Sequence, residues 1–212
     1  GPSIQAASQR ALANGMTLSR TLGMVSDFRS RDSDTPVVLM GYFNPIYRYG
    51  PTHFIADALS AGVDGLIIVD LPPEEDQELC HPSLTAGLHW IRLVTPTTDE
   101  QRMNTVLSNT SGFVYYVSIA GITGTRAAST DTIESATQRV RTNTSLPIAV
   151  GFGIRTQQQV REIIQVADAA VVGSALVDLI ADGIAQQHTD DVIVESVTDR
   201  VSNLAEGLAV DL

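Results

Sequence analysis

The sequence predicts an α/β fold, a (β/α)8 TIM barrel with only about six of its eight strand–helix units present in 212 residues. Three observations carry this. Six short apolar runs recur along the chain, each followed by a loop and an amphipathic stretch. Four of the six are near-continuous and rich in Val and Ile, the pattern of parallel strands buried on both faces. Polar, glycine-rich segments follow the strands while the helix-to-strand turns are short, which favours a closed barrel over an open doubly wound sheet. A full barrel takes ~250 residues. The expectation is therefore one domain, residues 1–212, incomplete at its N-terminus.

The elements follow in order. The chain opens "GPSIQAASQR", without an initiator methionine and in mid-turn, so a missing upstream portion is expected. Ser3 is the expected N-cap of a first helix carrying Ile4, Ala7 and Leu12. Strands are expected at "PVVLMGY" from Pro36, "GLIIVD" from Gly65, "HWIRLV" from His89, "FVYYVS" from Phe113, "PIAVG" from Pro147 and "AAVVG" from Ala169. Helices fit between them over 52–60, 74–86, 98–108, 130–141 and 157–166. "TTDE" before position 101 reads as an N-cap with first-turn acids. "SAGVDG" and "TAGLHW" each place a C-cap glycine between a helix and a strand.

Composition narrows the function. A hydrophobic content of 43% supports one sizeable core. No window approaches the ~18 uncharged apolar residues of a membrane span, and no basic-then-apolar leader opens the chain. A single cysteine, Cys80, gives no internal disulfide, and no metal-ligand spacing stands out, so a reducing cytoplasm is the expected location. A net charge of −11 and the absence of lysine argue against a nucleic-acid partner, since phosphate backbones need a basic footprint.

The strongest chemical constellation is the pair of last strand ends, "AVGFGIRT" and "VVGSALVD". Each places glycine at a strand terminus ahead of a helix whose first-turn amides point outward, an arrangement suited to an anion. In such barrels the phosphate commonly sits after strands seven and eight. Gly153 then clears space for phosphate oxygens, and Ser174 adds a hydroxyl beside Gly173. The loop "SIAGITGT" reads as a lid in which Gly124 adds a further amide. Tyr115 lies mid-strand, where a core role and a substrate contact are both open. Asp70 tops its strand and serves either chemistry or loop anchoring. "GYFNPIYRYG" is aromatic-rich and fits an apolar pocket or a partner surface. The four histidines, Cys80 and Trp90 read as structural.

Together "VVLMGYFNPIYRYG", "AGVDGLIIVDLPPEE", "GLHWIRLVTPTT", "GFVYYVSIAGITGT", "LPIAVGFGIRT" and "AAVVGSALV" resemble the tryptophan synthase α-subunit family, in unbroken order over nearly the whole chain. The resemblance implies a TIM barrel that cleaves indole-3-glycerol phosphate to indole and glyceraldehyde 3-phosphate. It implies that indole passes to a pyridoxal-phosphate-bearing β subunit in an αββα heterotetramer, the cofactor being the partner's. By the same resemblance Gly124, Gly153, Gly173 and Ser174 hold the phosphate, and Tyr115 faces substrate. Thr123 is the lid threonine, and Met40, Tyr42, Ile67 and Phe152 line the indole pocket. Asp70, Asn44 and Pro72 face the β subunit. Ile119 stands where many members carry arginine. The family's acid/base glutamate and indole-binding aspartate precede the stretch that "GPSIQAAS" resembles and have no counterpart here. A barrel that only docks to and activates a β subunit is one alternative. Indole-glycerol-phosphate synthase is another, and its chemistry calls for a catalytic lysine that this chain lacks.

Overall fold

The structure, a computed structural model, describes residues 1–117, 130–151 and 153–209. The chain falls into two units, one of Gly15–Tyr115 with Asn143–Leu146, the other of Gly1–Asn14, Tyr116–Thr142 and Pro147–Leu212. Helix α1 (Pro2–Ala13) opens the chain, two residues earlier than a Ser3 cap would have it. Gly1 is the N-cap and Pro2 the first helical residue, where its fixed φ suits the helix and its missing N–H costs nothing.

In the first unit α2 (Leu18–Arg29) buries Leu22 and Val25, and Thr17 caps it by accepting from the Arg20 amide. Strands β1 (Val38–Gly41), β2 (Gly65–Ile68) and β3 (His89–Trp90) form a parallel sheet in that order. Leu39 aligns with Leu66, and Leu66 with Trp90. All four β2 residues are buried, as expected of a parallel strand covered on both faces. The "NPIYRYG" segment is helical: α3 (Phe43–Tyr49) precedes α4 (Pro51–Ala61). Pro45 sits in the first turn of α3, where proline is tolerated. Phe54, Ile55 and Ala58 of α4 pack into one core with Leu66, Leu79 and Trp90.

The helix expected over 74–86 divides. A 3-10 turn covers Pro73–Glu75, and α5 (Cys80–Ala86) begins only after Asp76 has been drawn into the interior. "HWIRLV" also divides, with Ile91 separating β3 from β4 (Arg92–Val94). Next come α6 (Glu100–Leu107), capped by Asp99, and β5 (Val114–Val117). Gly62 and Gly87 end α4 and α5 at φ of 93° and 102°, as C-cap glycines should.

The second unit contains α7 (Thr130–Arg141), β6 (Ile148–Gly151), α8 (Gln157–Ile164) and β7 (Ala169–Val171). Helices α9 (Ser174–Ala185) and α10 (Asp190–Ala205) follow. They approach closely at Gly183, where a Cβ would lie 2.6 Å from Ile193 Cγ1. The core includes Val140, Ile148, Val150, Ile154 and Val160.

One latch occurs in both units. In the first, the Asp64 amide donates to the Val37 carbonyl (2.9 Å), the Asp64 carboxylate accepts from the Val37 amide (2.6 Å), and Arg29 pairs with that carboxylate. In the second, the Asp168 amide donates to the Ile148 carbonyl (3.0 Å), and its carboxylate accepts from the Ile148 amide (2.8 Å) and Arg141 (3.0 Å). Each aspartate joins the start of its own strand to the start of the preceding one. The carboxylate satisfies a backbone donor that would otherwise end unpaired at the sheet rim.

Candidate functional site

In the unit of residues 15–115, the β1–β2 register sets Met40 directly against Ile67. Their side chains share one face because parallel partners point the same way. Met40 is 59% exposed and Ile67 buried, so the pair forms an apolar floor that is open at Met40. Tyr42, two residues beyond Met40, is the extended N-cap of α3 and is 64% exposed. An exposed Met and Tyr beside a buried Ile suit a flat apolar ring. Phe43 and Tyr47 stack at 5.8 Å on α3.

Asp70 stands just past β2, and its Oδ1 accepts from the Phe43 amide at 2.7 Å. Phe43 lies between Tyr42 and Asn44, so one hydrogen bond ties the loop after β2 to the start of α3. The contact makes Asp70 an anchor for the start of α3. Asn44 and Pro72 are both exposed. A cavity of about 390 Å³ lies beside this loop, with Ile68, Asp70, Pro72, Arg92 and Thr98 in its wall. Of the described residues that the sequence singles out, only Asp70 and Pro72 line it. Tyr115 is half-buried, and desolvation raises its phenol above the ordinary tyrosine value.

In the other unit, β6 and β7 align Gly151 with Val171. Gly153 and Gly173 each lie two residues beyond that pair, so the two glycines leave adjacent strands at matching positions. Gly153 has φ 65°, a left-handed conformation that glycine adopts without steric cost, and among the described residues nothing within 4 Å would meet a Cβ there. Gly173 is the N-cap of α9, and its carbonyl accepts from the Leu176 amide at 3.0 Å. A Cβ on Gly173 would touch only Ile4 Cδ1, at 3.8 Å among described atoms. Ser174 is the first residue of α9, at the positive end of a 12-residue helix. Gly153, Gly173 and Ser174 thus lie at a pair of adjacent strand ends with a helix dipole beside them, an arrangement suited to an anion.

Sequence reasoning missed the charges around these groups. Arg155 pairs with Asp178 of α9 at 2.9 Å, and its carbonyl accepts from Arg200 at 3.2 Å. The Ser3 hydroxyl and then Arg155 hold the Asp178 carboxyl below its usual value. In the first unit the missed pair is Arg92 and Asp76, both buried. A charged residue inside the apolar run "HWIRLV" was the legible signal, since arginine is rarely buried unless paired. Thr123, Gly124, Phe152 and Ile119 lie outside the described residues. Among the described residues no group of His, Cys, Asp and Glu could hold a metal ion, and no helix is long and apolar enough to cross a membrane.

Comparison with known proteins agrees over nearly the full chain. A family model described as "Tryptophan synthase alpha chain" matches residues 1–207. The tryptophan synthase subunit alpha of Legionella pneumophila str. Paris superposes with a TM-score of 0.88 at 35% identity, covering 98% of this chain and 75% of that one. The A-subunit from the hyperthermophile Pyrococcus furiosus gives 0.84 at 34% identity over 97% of this chain and 80% of that one. A Pyrococcus furiosus structure of the tryptophan synthase a2b2 complex gives 0.81 at 33% identity, with 97% and 80% covered. The parallel strands and intervening helices described above thus match those of tryptophan synthase α subunits.

Proposed function

Since this chain belongs to the tryptophan synthase alpha chain family, we propose that it carries out the alpha reaction. That reaction is retro-aldol cleavage of indole-3-glycerol phosphate. The bond between the indole ring and the glycerol chain breaks, the ring carbon takes up a proton, and the adjacent hydroxyl becomes the aldehyde of glyceraldehyde 3-phosphate. Indole then passes to a β subunit, whose pyridoxal phosphate serves the second reaction.

The residues of this chain bind and orient. Gly153, Gly173 and Ser174 hold the phosphate, with Gly124 supplying a further amide. Met40, Tyr42 and Ile67, with Phe152, hold the ring, and Tyr115 faces the substrate. Thr123 orders the lid. Asn44, Asp70 and Pro72 meet the β subunit. Proton transfer is assigned to the family's acid/base glutamate, and the hold on the indole nitrogen to its aspartate, neither of which has a counterpart among the residues named here. A positioned general acid/base contributes ~10²–10⁴-fold, so the residues named here account for affinity and geometry rather than the chemical step.

The observation that supports this reading most is the pair of glycines at matching ends of β6 and β7, with α9 opening at one of them. Gly173 provides the test. Among the described residues its Cβ would meet only Ile4, at an ordinary contact distance, so Gly173→Ala is expected to fold with an unchanged melting temperature. Titration with glycerol 3-phosphate should show binding by the parent protein and at least ~10-fold weaker binding by the variant, the loss of about one charge-assisted hydrogen bond. No binding by the parent, or equal binding by the variant, overturns the assignment.

A further inference from the structure

Asp76 and Arg92 are 3% and 6% exposed, and each terminal nitrogen of the guanidinium has a partner. One terminal nitrogen pairs with the Asp76 carboxylate, and the other donates to the Leu71 carbonyl at 2.5 Å. The second Asp76 oxygen accepts from Asn109 at 2.8 Å, and the same Asn109 amide lies 3.1 Å from His81 Nε2. The guanidinium also lies 5.3 Å from the Trp90 ring centroid. A buried ion pair of this kind adds little net stability, because desolvation of both ions offsets their attraction, and an apolar pair of similar volume serves as well. What an apolar pair cannot do is grip two acceptors at a fixed separation. The planar fork of arginine does that, and lysine, with a single ammonium on a flexible stem, does not.

The second acceptor is informative. Leu71 lies between Asp70, which holds the Phe43 amide, and Pro72. From the interior outward the order is Asp76, Arg92, the Leu71 carbonyl, Asp70, the Phe43 amide and Asn44. We propose that Arg92 is a positioning residue: anchored by Asp76, it fixes the loop after β2, and through Asp70 the start of α3, in the arrangement that answers the β subunit. This rests on the reading that Asn44, Asp70 and Pro72 meet that partner, and it adds a buried determinant that touches neither partner nor substrate.

The test uses the full chain with Arg92→Met and Asp76→Leu combined, which removes both charges together. Arg92→Lys alone is the second variant; it keeps the charge but has no fork to span both acceptors. Hydrogen exchange at the Phe43 amide is read in the free protein. Indole production is read with and without the cognate β subunit. Both variants should melt cooperatively and keep the unstimulated rate within about twofold of the parent. The Phe43 amide should exchange at least ~10-fold faster, and stimulation by the β subunit should fall at least ~5-fold. Parent-like exchange in a folded variant overturns the proposal, as does parent-like stimulation. If the parent itself is not stimulated, the subunit reading fails, while the exchange measurement still judges the anchoring. Should the double variant not fold, the lysine variant carries the same two readouts.

Discussion

Single residues here are decided by burial first and chemistry second. Cys80 has no exposed surface, and desolvation, reinforced by the Asp76 charge, pushes its thiol up to about 12. A raised folded-state value means that the neutral thiol stabilises the fold below the unfolded pKa of about 8.5, and that this contribution is lost as pH climbs towards the folded value. Two outcomes are expected. Native protein at pH 8 should not react with a thiol reagent within the time that unfolded protein reacts fully. Denaturant midpoints should also fall between pH 9 and 11 more than in a Cys80→Ala variant measured in parallel. Fast labelling of native protein contradicts the burial described above. Asp70 is the contrasting case, a carboxylate at a strand top whose hydrogen bond to Phe43 goes to backbone rather than to an open site.

Elements were legible where one local rule decided them. The six apolar runs all contain strands because each is short and bounded by turn residues, and four of them are rich in Val and Ile. Gly62 and Gly87 were readable as C-caps because a left-handed residue after a helix nearly always needs glycine. Failures came where a distant partner decided the outcome. Nothing in "PPEEDQELC" reveals that Asp76 turns inward to meet Arg92, which interrupts an otherwise plausible helix. Helix α10 carries conflicting local signals. Thr189 precedes Asp190 and Asp191 as cap and first-turn acids, but "VIV" imitates a strand. In the candidate site the glycines were legible from spacing, whereas Arg155 and Asp178 needed the fold to bring them together. The capping box of α8 makes a clear case at this scale. The Thr156 hydroxyl accepts from the Gln159 amide at 3.3 Å, and the Gln159 side chain accepts from the Thr156 amide at 3.1 Å. Thr156→Ala should lower stability by about 1 kcal/mol, read from urea unfolding with unchanged slope. No loss would show that α8 is held by packing alone.

At the scale of the whole molecule, charge dominates. Twenty-four acidic against 13 basic residues leave a net −11. The exposed ion pairs, such as Arg102 with Glu74 and Arg155 with Asp178, contribute little in high-dielectric solvent and weaken with salt. The unpaired negative excess repels itself in the folded state, and screening relieves it as the Debye length shortens to about 8 Å at physiological ionic strength. The melting temperature should therefore rise when sodium chloride goes from about 0.01 to 0.15 M, and a fall would mean that the ion pairs outweigh the repulsion. A different kind of constraint follows from Gly183, whose missing side chain leaves the notch that Ile193 occupies. Volume gained at one of these positions has to be surrendered at the other. Relatives that preserve this helix pair should accordingly show the two sites trading size over evolutionary time, a methyl appearing at 183 only where 193 has become smaller.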